Sequence, residues 1–159
     1  MQWTTEHMPD LSGKTVLITG GNSGIGWEAA RACAGAGARV VLACRNVDKA
    51  RSAQAAIHAH FPDAAVDTLQ VDVASLASIR AAGHICRETY ERLDILCNNA
   101  GVMAVPYLTT ADGFEMQLGT NHLGHFALTG ALLPLLLNTP NSRIVTVSSN
   151  AHRFGRVHF

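Results

Sequence analysis

The chain has 159 residues, of which 48% are hydrophobic and 15% charged, and its 12 basic and 12 acidic side chains cancel. This length suits one domain over residues 1–159, and the apolar fraction excludes a disordered or collagen-like chain. A net charge of zero gives no electrostatic reason to expect nucleic acid as a partner. Since the sequence shows neither a signal-peptide pattern nor a bilayer-length apolar run, we expect a cytoplasmic protein.

Four cysteines fit the same expectation. They form no C-x-x-C pair and lie inside apolar segments, at Cys33, Cys44, Cys86 and Cys97. Such cysteines are typical of reduced core residues in an intracellular protein, not of a disulfide framework.

Short apolar runs and longer helical runs alternate along the first half of the chain. In order, they predict a strand, a helix, a strand, a helix and a strand at Lys14–Thr19, Ile25–Ala36, Arg39–Cys44, Asp48–His60 and Val66–Val71. Gly35 and Gly37 are expected to end the first helix, because a helix often ends on a left-handed residue.

The second half continues the alternation. It predicts a helix capped by Ser75 and carrying Tyr90, a strand at Leu93–Asn98, a long helix at Asp112–Leu137 and a strand at Arg143–Val147. Pro134 should kink the long helix or end it early, because proline lacks an amide donor. The leucines late in that helix are expected to be mostly core, with the remainder forming an exposed apolar patch. They are Leu128, Leu132, Leu133, Leu135 and Leu136.

This order of elements predicts the fold class. Parallel neighbouring strands need crossover helices, so the alternation predicts an α/β protein with a doubly wound parallel sheet of the Rossmann type. No helix follows the fifth strand, although such a sheet needs cover on both faces there. We therefore expect a fold truncated after the fifth strand, in the front portion of a longer protein.

A glycine-rich turn, Thr-Gly-Gly-Asn-Ser-Gly-Ile-Gly at positions 19–26, joins the first strand to the first helix. The amino end of a helix presents unpaired N–H groups and the positive end of the helix dipole. Glycines let a phosphate approach the backbone closely. At the start of a βαβ unit, this turn predicts a dinucleotide site, and the alternative is a turn with no ligand.

The end of the second strand bears on which dinucleotide binds. An acidic residue there binds the ribose 2′-hydroxyl of NAD(H), whereas a nearby arginine accommodates the 2′-phosphate of NADP(H). The strand ends at Cys44, Arg45 and Asn46 follow, and the first carboxylate is Asp48. Because a guanidinium offers planar, charge-assisted donors to a phosphate, NADP(H) is favoured over NAD(H). The alternative is that Arg45 is a solvated loop cation.

Five motifs in this order resemble those of the short-chain dehydrogenase/reductase family, over about residues 11–159. They are the turn at 19–26, Asp72-Val73, Asn98-Asn-Ala-Gly101, Asn121 and Ser148-Ser149. The sequence at residues 43–45, 121–126 and 148–152 is most similar to that of the retinol-dehydrogenase-like branch, which typically prefers NADP(H).

The resemblance implies roles for individual residues. The cofactor-binding residues would be Gly20, Asn22, Ser23, Gly24, Ile25, Gly26, Arg45, Asn46, Asp72, Val73, Asn99, Ala100 and Gly101. In the family, the backbone carbonyl of a helix asparagine holds a water of the proton relay, and a serine orients the substrate carbonyl. These catalytic roles would fall to Asn121 and Ser149, with Ser148 as the fallback.

One departure from the family limits what the resemblance implies. The family's acid–base pair is a tyrosine with a lysine four positions later, but Tyr90 and Tyr107 are followed at that spacing by Asp94 and Ala111. We therefore expect the intact protein to be an NADP(H)-dependent oxidoreductase that interconverts a carbonyl and an alcohol. Its substrate would be a lipophilic aldehyde, ketone or alcohol. The intact protein would be a homodimer or homotetramer, and the 159-residue chain alone would be inactive.

Two other interpretations stay open. The chain could be a non-catalytic module that binds a nucleotide or dimerises, or, less in keeping with the motifs, a sugar-nucleotide enzyme of the same fold. The histidine pairs His122/His125 and His58/His60 invite a metal hypothesis, but no cysteine or carboxylate is spaced to complete a set of three or four ligands. No metal site is predicted.

Overall fold

The computed structural model of the chain describes residues 4–153 and 155. The ends of the predicted domain, residues 1–3, 154 and 156–159, lie outside these described residues. Five strands form one sheet, namely β1 Thr15–Thr19, β2 Arg39–Cys44, β3 Val66–Gln70, β4 Ile95–Asn98 and β5 Arg143–Thr146. Neighbouring strands are parallel, in the spatial order β3-β2-β1-β4-β5. The predicted doubly wound α/β fold is confirmed.

Helices connect the strands as crossovers. They are α1 Gly24–Gly35, α2 Val47–His60, α3 Leu76–Thr89, a short turn α4 Met116–Leu118 and α5 Gly124–Leu137. A π turn at Gly119–Leu123 joins α4 to α5, and single 3₁₀ turns lie at Thr5–His7 and Asn150–Arg153. The predicted cap of α3 is confirmed, because the Ser75 hydroxyl accepts the Ser78 N–H at 3.3 Å.

The long helix begins later than predicted. Its expected first residue, Asp112, accepts the Leu76 N–H at 2.8 Å and so helps to cap the start of α3. The carboxylate of Glu115 instead accepts the first free N–H groups of α4, from Gln117 and Leu118. The prediction of a helix from Asp112 was therefore wrong, since this acidic residue caps a neighbouring helix and not its own.

The structure bears on two further helix predictions. Pro134 does not end α5 early, because the helix continues for three residues to Leu137, and the kink predicted as the other outcome stays a prediction. The carbonyl of Ala131, one turn before the proline, accepts an additional hydrogen bond of 2.7 Å from Arg87 on α3. Tyr90 lies just beyond the end of α3, and its hydroxyl donates to Asp67 at 3.2 Å.

The side chains of β1 alternate between two apolar layers, as expected for a strand buried on both faces. Val16 and Ile18 pack against α1 and α2, whereas Leu17 packs against α3 and α5. Burying each such side chain contributes about 1.5–3 kcal/mol, so both faces of the central strands are held firmly. The loops at the carboxyl ends of these strands therefore start from fixed positions.

Apolar side chains are less completely buried on α5 and β5 than at the centre of the sheet. Four of the five leucines predicted as core in α5 are buried or nearly so, whereas Leu133 is 41% exposed. Phe126 and Leu137 on the same helix are exposed as well, and so are the apolar side chains around β5. Apolar side chains of this helix are therefore exposed, as predicted.

All four cysteines are free thiols, with Cys44 and Cys86 buried. Burial raises the pKa of Cys44 to about 11 and that of Cys86 to about 12, so both thiols stay protonated at neutral pH.

At the amino-terminal edge of the sheet, the buried carboxylate of Asp94 joins the starts of β1 and β4. It accepts the Thr15 N–H at 3.0 Å and two hydrogen bonds from Arg92, and it lies 3.1 Å from the Lys14 ammonium. Burial alone would raise the pKa of Asp94, but these three partners together lower it to about 2.

We predict that this carboxylate makes folding stability depend on acid pH. A depressed pKa stabilises the fold fully above the unfolded value of about 4, and the stabilisation disappears as pH falls towards about 2. The free energy of unfolding should fall by on the order of 2 kcal/mol over this range. Urea unfolding of the chain between pH 7 and pH 2 measures it.

Asp94→Asn should be less stable at pH 7 and should show a flatter dependence on pH between 4 and 2. Asp63→Asn is the matched control, because Asp63 is exposed in the loop after α2. An Asp94→Asn variant with the wild-type pH slope would contradict the assignment.

Candidate functional site

A cleft of about 470 Å³ opens at the carboxyl-terminal edge of the sheet. From β1 the chain moves outward through β2 to β3 and then returns to the other side of β1 to form β4. The loops after β1 and β4 therefore diverge at this point, which is where ligands bind in doubly wound sheets. The cleft lies between these two loops and extends over the ends of β2 and β3.

Eleven of the thirteen residues predicted to bind a cofactor line this one cleft. They are Gly20, Asn22, Ser23, Ile25, Gly26, Arg45, Asp72, Val73, Asn99, Ala100 and Gly101. They come from the loops after four different strands, so the fold brings together residues up to 81 positions apart. Their role in binding stays a prediction.

The other two predicted binding residues lie elsewhere. Gly24 lines an adjacent groove, together with Trp27 and Lys49. The Asn46 side chain accepts the Lys49 N–H at 2.8 Å, so it caps α2. An asparagine at that position caps its helix well, which gives its side chain a local structural task.

The turn between β1 and α1 is shaped by two glycines. Gly24 has a φ of +55°, a conformation that residues with a Cβ rarely adopt. A Cβ at Gly26 would overlap both the Gly20 carbonyl oxygen and Asn99 Nδ2. In residues 4–153 and 155, no acceptor is recorded for the N–H groups of residues 24–26. The turn therefore presents free donors at a helix amino end.

Arg45 and Asp72 bring charge to the cleft from β2 and β3. Arg45 is exposed, and within the described part of the chain it makes no ion pair. Asp72 uses Oδ1 to accept the Ala74 N–H at 2.9 Å, which fixes the start of its loop. Arg45 thus places an exposed cation at the rim of the cleft.

The two predicted catalytic residues do not line the cleft. The amide of Asn121 forms two hydrogen bonds of 2.8 Å with the backbone of Val102, so its side chain holds the loop after β4 against the π turn. Ser149 follows β5, is exposed, and accepts the Ala151 N–H at 3.2 Å. Ser148, the alternative, is also exposed. The catalytic roles of these residues stay predictions.

Several residues of the cleft were missed by reasoning from the sequence. They are Thr19, Ala43, Cys44, Val71, Val102 and Thr120. The most connected is Thr19, whose hydroxyl oxygen accepts the N–H groups of Asn99 and Ala100 at 2.9 and 3.0 Å. Its carbonyl also accepts the side-chain amide of Asn99 at 2.9 Å. The position of Thr19 at the start of the glycine turn was the available signal.

No group of three or more His, Cys, Asp and Glu side chains is placed to hold a metal ion within residues 4–153 and 155. Over that same range, none of the helices combines the length and the apolar character required to cross a bilayer.

Comparison with known proteins places the chain among dehydrogenases. A family model described as short chain dehydrogenase matches residues 14–159. Retinol dehydrogenase 11 of Mus musculus is 49% identical over 149 residues, which cover 94% of this chain and 47% of that protein. Human retinol dehydrogenase 13 is 47% identical, with 94% and 45% covered. The chain spans about half the length of these relatives.

Solved structures agree in fold. An uncharacterized protein from Mycobacterium paratuberculosis superimposes with a TM-score of 0.87 at 44% identity, covering 99% of this chain and 54% of that one. A protein described as a short chain dehydrogenase from Escherichia coli CFT073, complexed with NADPH, gives 0.79 at 30% identity, with 92% and 63% covered. The resemblance to the retinol-dehydrogenase-like branch is confirmed, and the chain belongs to the short-chain dehydrogenase family.

Proposed function

We propose that this chain is the cofactor-binding part of an NADP(H)-dependent oxidoreductase that interconverts a carbonyl and an alcohol. The observation that carries the proposal is the cleft, in which eleven predicted residues meet beside the amino end of α1. Membership of the short-chain dehydrogenase family supports the reaction class.

The residues present fit a nicotinamide dinucleotide. The missing Cβ of Gly26 leaves the backbone of the turn open, and the first N–H groups of α1 are available to a pyrophosphate. The cleft volume of about 470 Å³ is in the range of small-molecule sites. Gly20 to Gly26 would hold the pyrophosphate, and Asp72 and Val73 would contact the adenine.

The preference for NADP(H) is supported by the charges at the end of β2. Arg45 makes no ion pair with any residue that the structure describes, and the neighbouring Asn46 side chain caps α2. No carboxylate lies at the position that would accept a ribose 2′-hydroxyl. Similar solved structures complexed with NADPH and with NADP add support. Arg45 would bind the 2′-phosphate.

The nicotinamide supplies hydride transfer when the cofactor is bound. This chain's own residues would bind and orient the dinucleotide, and Thr19 fixes the loop that carries Asn99 and Ala100. Ser149 would orient the substrate carbonyl. Since the sequence contains no Tyr-x-x-x-Lys element, we assign the proton-transfer step to none of these residues and propose that the chain alone binds without turnover.

The resemblance to retinol dehydrogenases supports a lipophilic aldehyde, ketone or alcohol as the substrate of the whole protein. The homodimer or homotetramer and the cytoplasmic location stay predictions.

One prediction of this function concerns the glycine turn. Gly26→Ala should weaken NADPH binding by about tenfold or more, because the new Cβ displaces the Gly20 carbonyl and Asn99 and so deforms the turn. Nicotinamide fluorescence during titration measures the dissociation constant.

Gly130→Ala is the matched control, since a Cβ at this position of α5 meets nothing within 4 Å. It should bind NADPH as the wild type does. An unchanged affinity in Gly26→Ala would show that the turn does not hold the cofactor.

Another prediction concerns the choice between NADPH and NADH. Arg45→Gln should weaken NADPH binding by about 10- to 100-fold, the value of a charge-assisted hydrogen bond, and change NADH binding less than about twofold. Arg51→Gln, an exposed arginine on α2, is the control. Equal losses for both cofactors, or tighter binding of NADH by the wild type, would refute the 2′-phosphate assignment.

A further inference from the structure

His125 is a buried histidine that the proposed function leaves without a task. It lies in the first turn of α5 and is 4% exposed. Both of its ring nitrogens have a hydrogen-bond partner. Nε2 lies 2.9 Å from the Thr19 hydroxyl oxygen, and Nδ1 lies 3.2 Å from the Asn121 carbonyl oxygen. The imidazole therefore joins the end of β1 to the π turn that precedes α5.

These partners determine where the ring proton sits. A carbonyl oxygen can only accept, so the hydrogen bond to Asn121 requires the proton on Nδ1. Burial lowers the pKa of His125, so the ring is neutral at neutral pH and carries a single proton. Nε2 is then bare, and it accepts a hydrogen bond from the Thr19 hydroxyl.

The same reasoning fixes the hydroxyl of Thr19. It has one proton and two lone pairs, and the N–H groups of Asn99 and Ala100 donate to the lone pairs. Its proton can go to His125 Nε2 at 2.9 Å or to the Cys97 carbonyl at 3.3 Å. The shorter distance favours the histidine.

We propose that His125 is a positioning residue for the cofactor cleft. By accepting a hydrogen bond from the Thr19 hydroxyl, it directs both lone pairs of that oxygen at the loop after β4. It thereby sets the position of a loop that lines the cleft opposite the glycine turn, where Gly20 approaches Ala100 closely. This inference rests on the proposed function, because the loop matters to the ligand only if the cleft binds the cofactor.

The proposal differs from a role in packing alone. A buried ring that only fills space acts on stability, and its loss adds to the loss of Thr19. A ring that orients the Thr19 hydroxyl acts through that hydroxyl, so its effect on cofactor binding vanishes once the hydroxyl is removed. A double-mutant cycle on NADPH affinity separates these two cases.

His125→Leu should weaken NADPH binding by the chain about five- to tenfold, the value of one buried hydrogen bond. His122→Leu is the matched control, since this histidine lies exposed on the same π turn, and it should change affinity less than twofold. In a Thr19→Val background, His125→Leu should cost less than a further twofold. Additive losses would overturn the proposal, and so would wild-type affinity in His125→Leu.

His125→Gln tests rescue by a conservative change. Its amide offers one acceptor and a donor, so it should recover binding to within about threefold of the wild type. No recovery relative to His125→Leu would count against the hydrogen-bonding role.

Nitrogen-15 NMR of the wild-type chain without ligand tests the inference even where a variant fails to fold. The expected spectrum has the proton on Nδ1 of His125 and a bare Nε2. A proton on Nε2 would overturn the proposal whatever the cofactor does. Conversely, absent NADPH binding by the wild type would refute the proposed function and leave the tautomer result standing, so the two failures are distinguishable.

Discussion

The hydroxyl of Thr19 holds together the two loops between which the cleft opens. These loops follow β1 and β4, and they are separated by about 80 residues because the chain first builds β2 and β3 on the other side of β1. One oxygen accepts both N–H groups of the returning loop, at Asn99 and Ala100. Together with the hydrogen bond from the Asn99 side-chain amide to the Thr19 carbonyl, this contact fixes the distance between the glycine turn and the opposite wall. The chemistry proposed for the cleft depends on that distance.

The two edges of the sheet are organised differently. At the amino-terminal edge, the buried carboxylate of Asp94 is satisfied by Arg92, Lys14 and a backbone N–H, so its charge is balanced within the chain. At the opposite edge, the N–H groups at the start of α1 and the guanidinium of Arg45 have no partner among residues 4–153 and 155. Satisfied charge stabilises a fold, whereas donors left open beside a cleft are suited to an anionic ligand.

Much of this arrangement could be predicted from the sequence, because it depends on local chemistry. The glycine turn and the place of Arg45 at the end of β2 can be identified from residues that are adjacent in the chain. The parallel sheet can be predicted from the alternation of strands and helices. Contacts between distant residues could not be predicted, since Thr19 and His125 meet only through the crossover topology. Asp112 shows a second limit, because an acidic residue before a helix can equally cap a neighbour, here α3.

The central claim is that the cleft beside α1 binds the pyrophosphate of NADP(H). Backbone amide chemical shifts of the chain during NADPH titration test it most directly, residue by residue. The largest shifts are expected at residues 24–26 and at Asn99 and Ala100, with smaller ones near Arg45. Shifts confined to the amino-terminal edge around Asp94, or no shifts at residues 24–26, would contradict it.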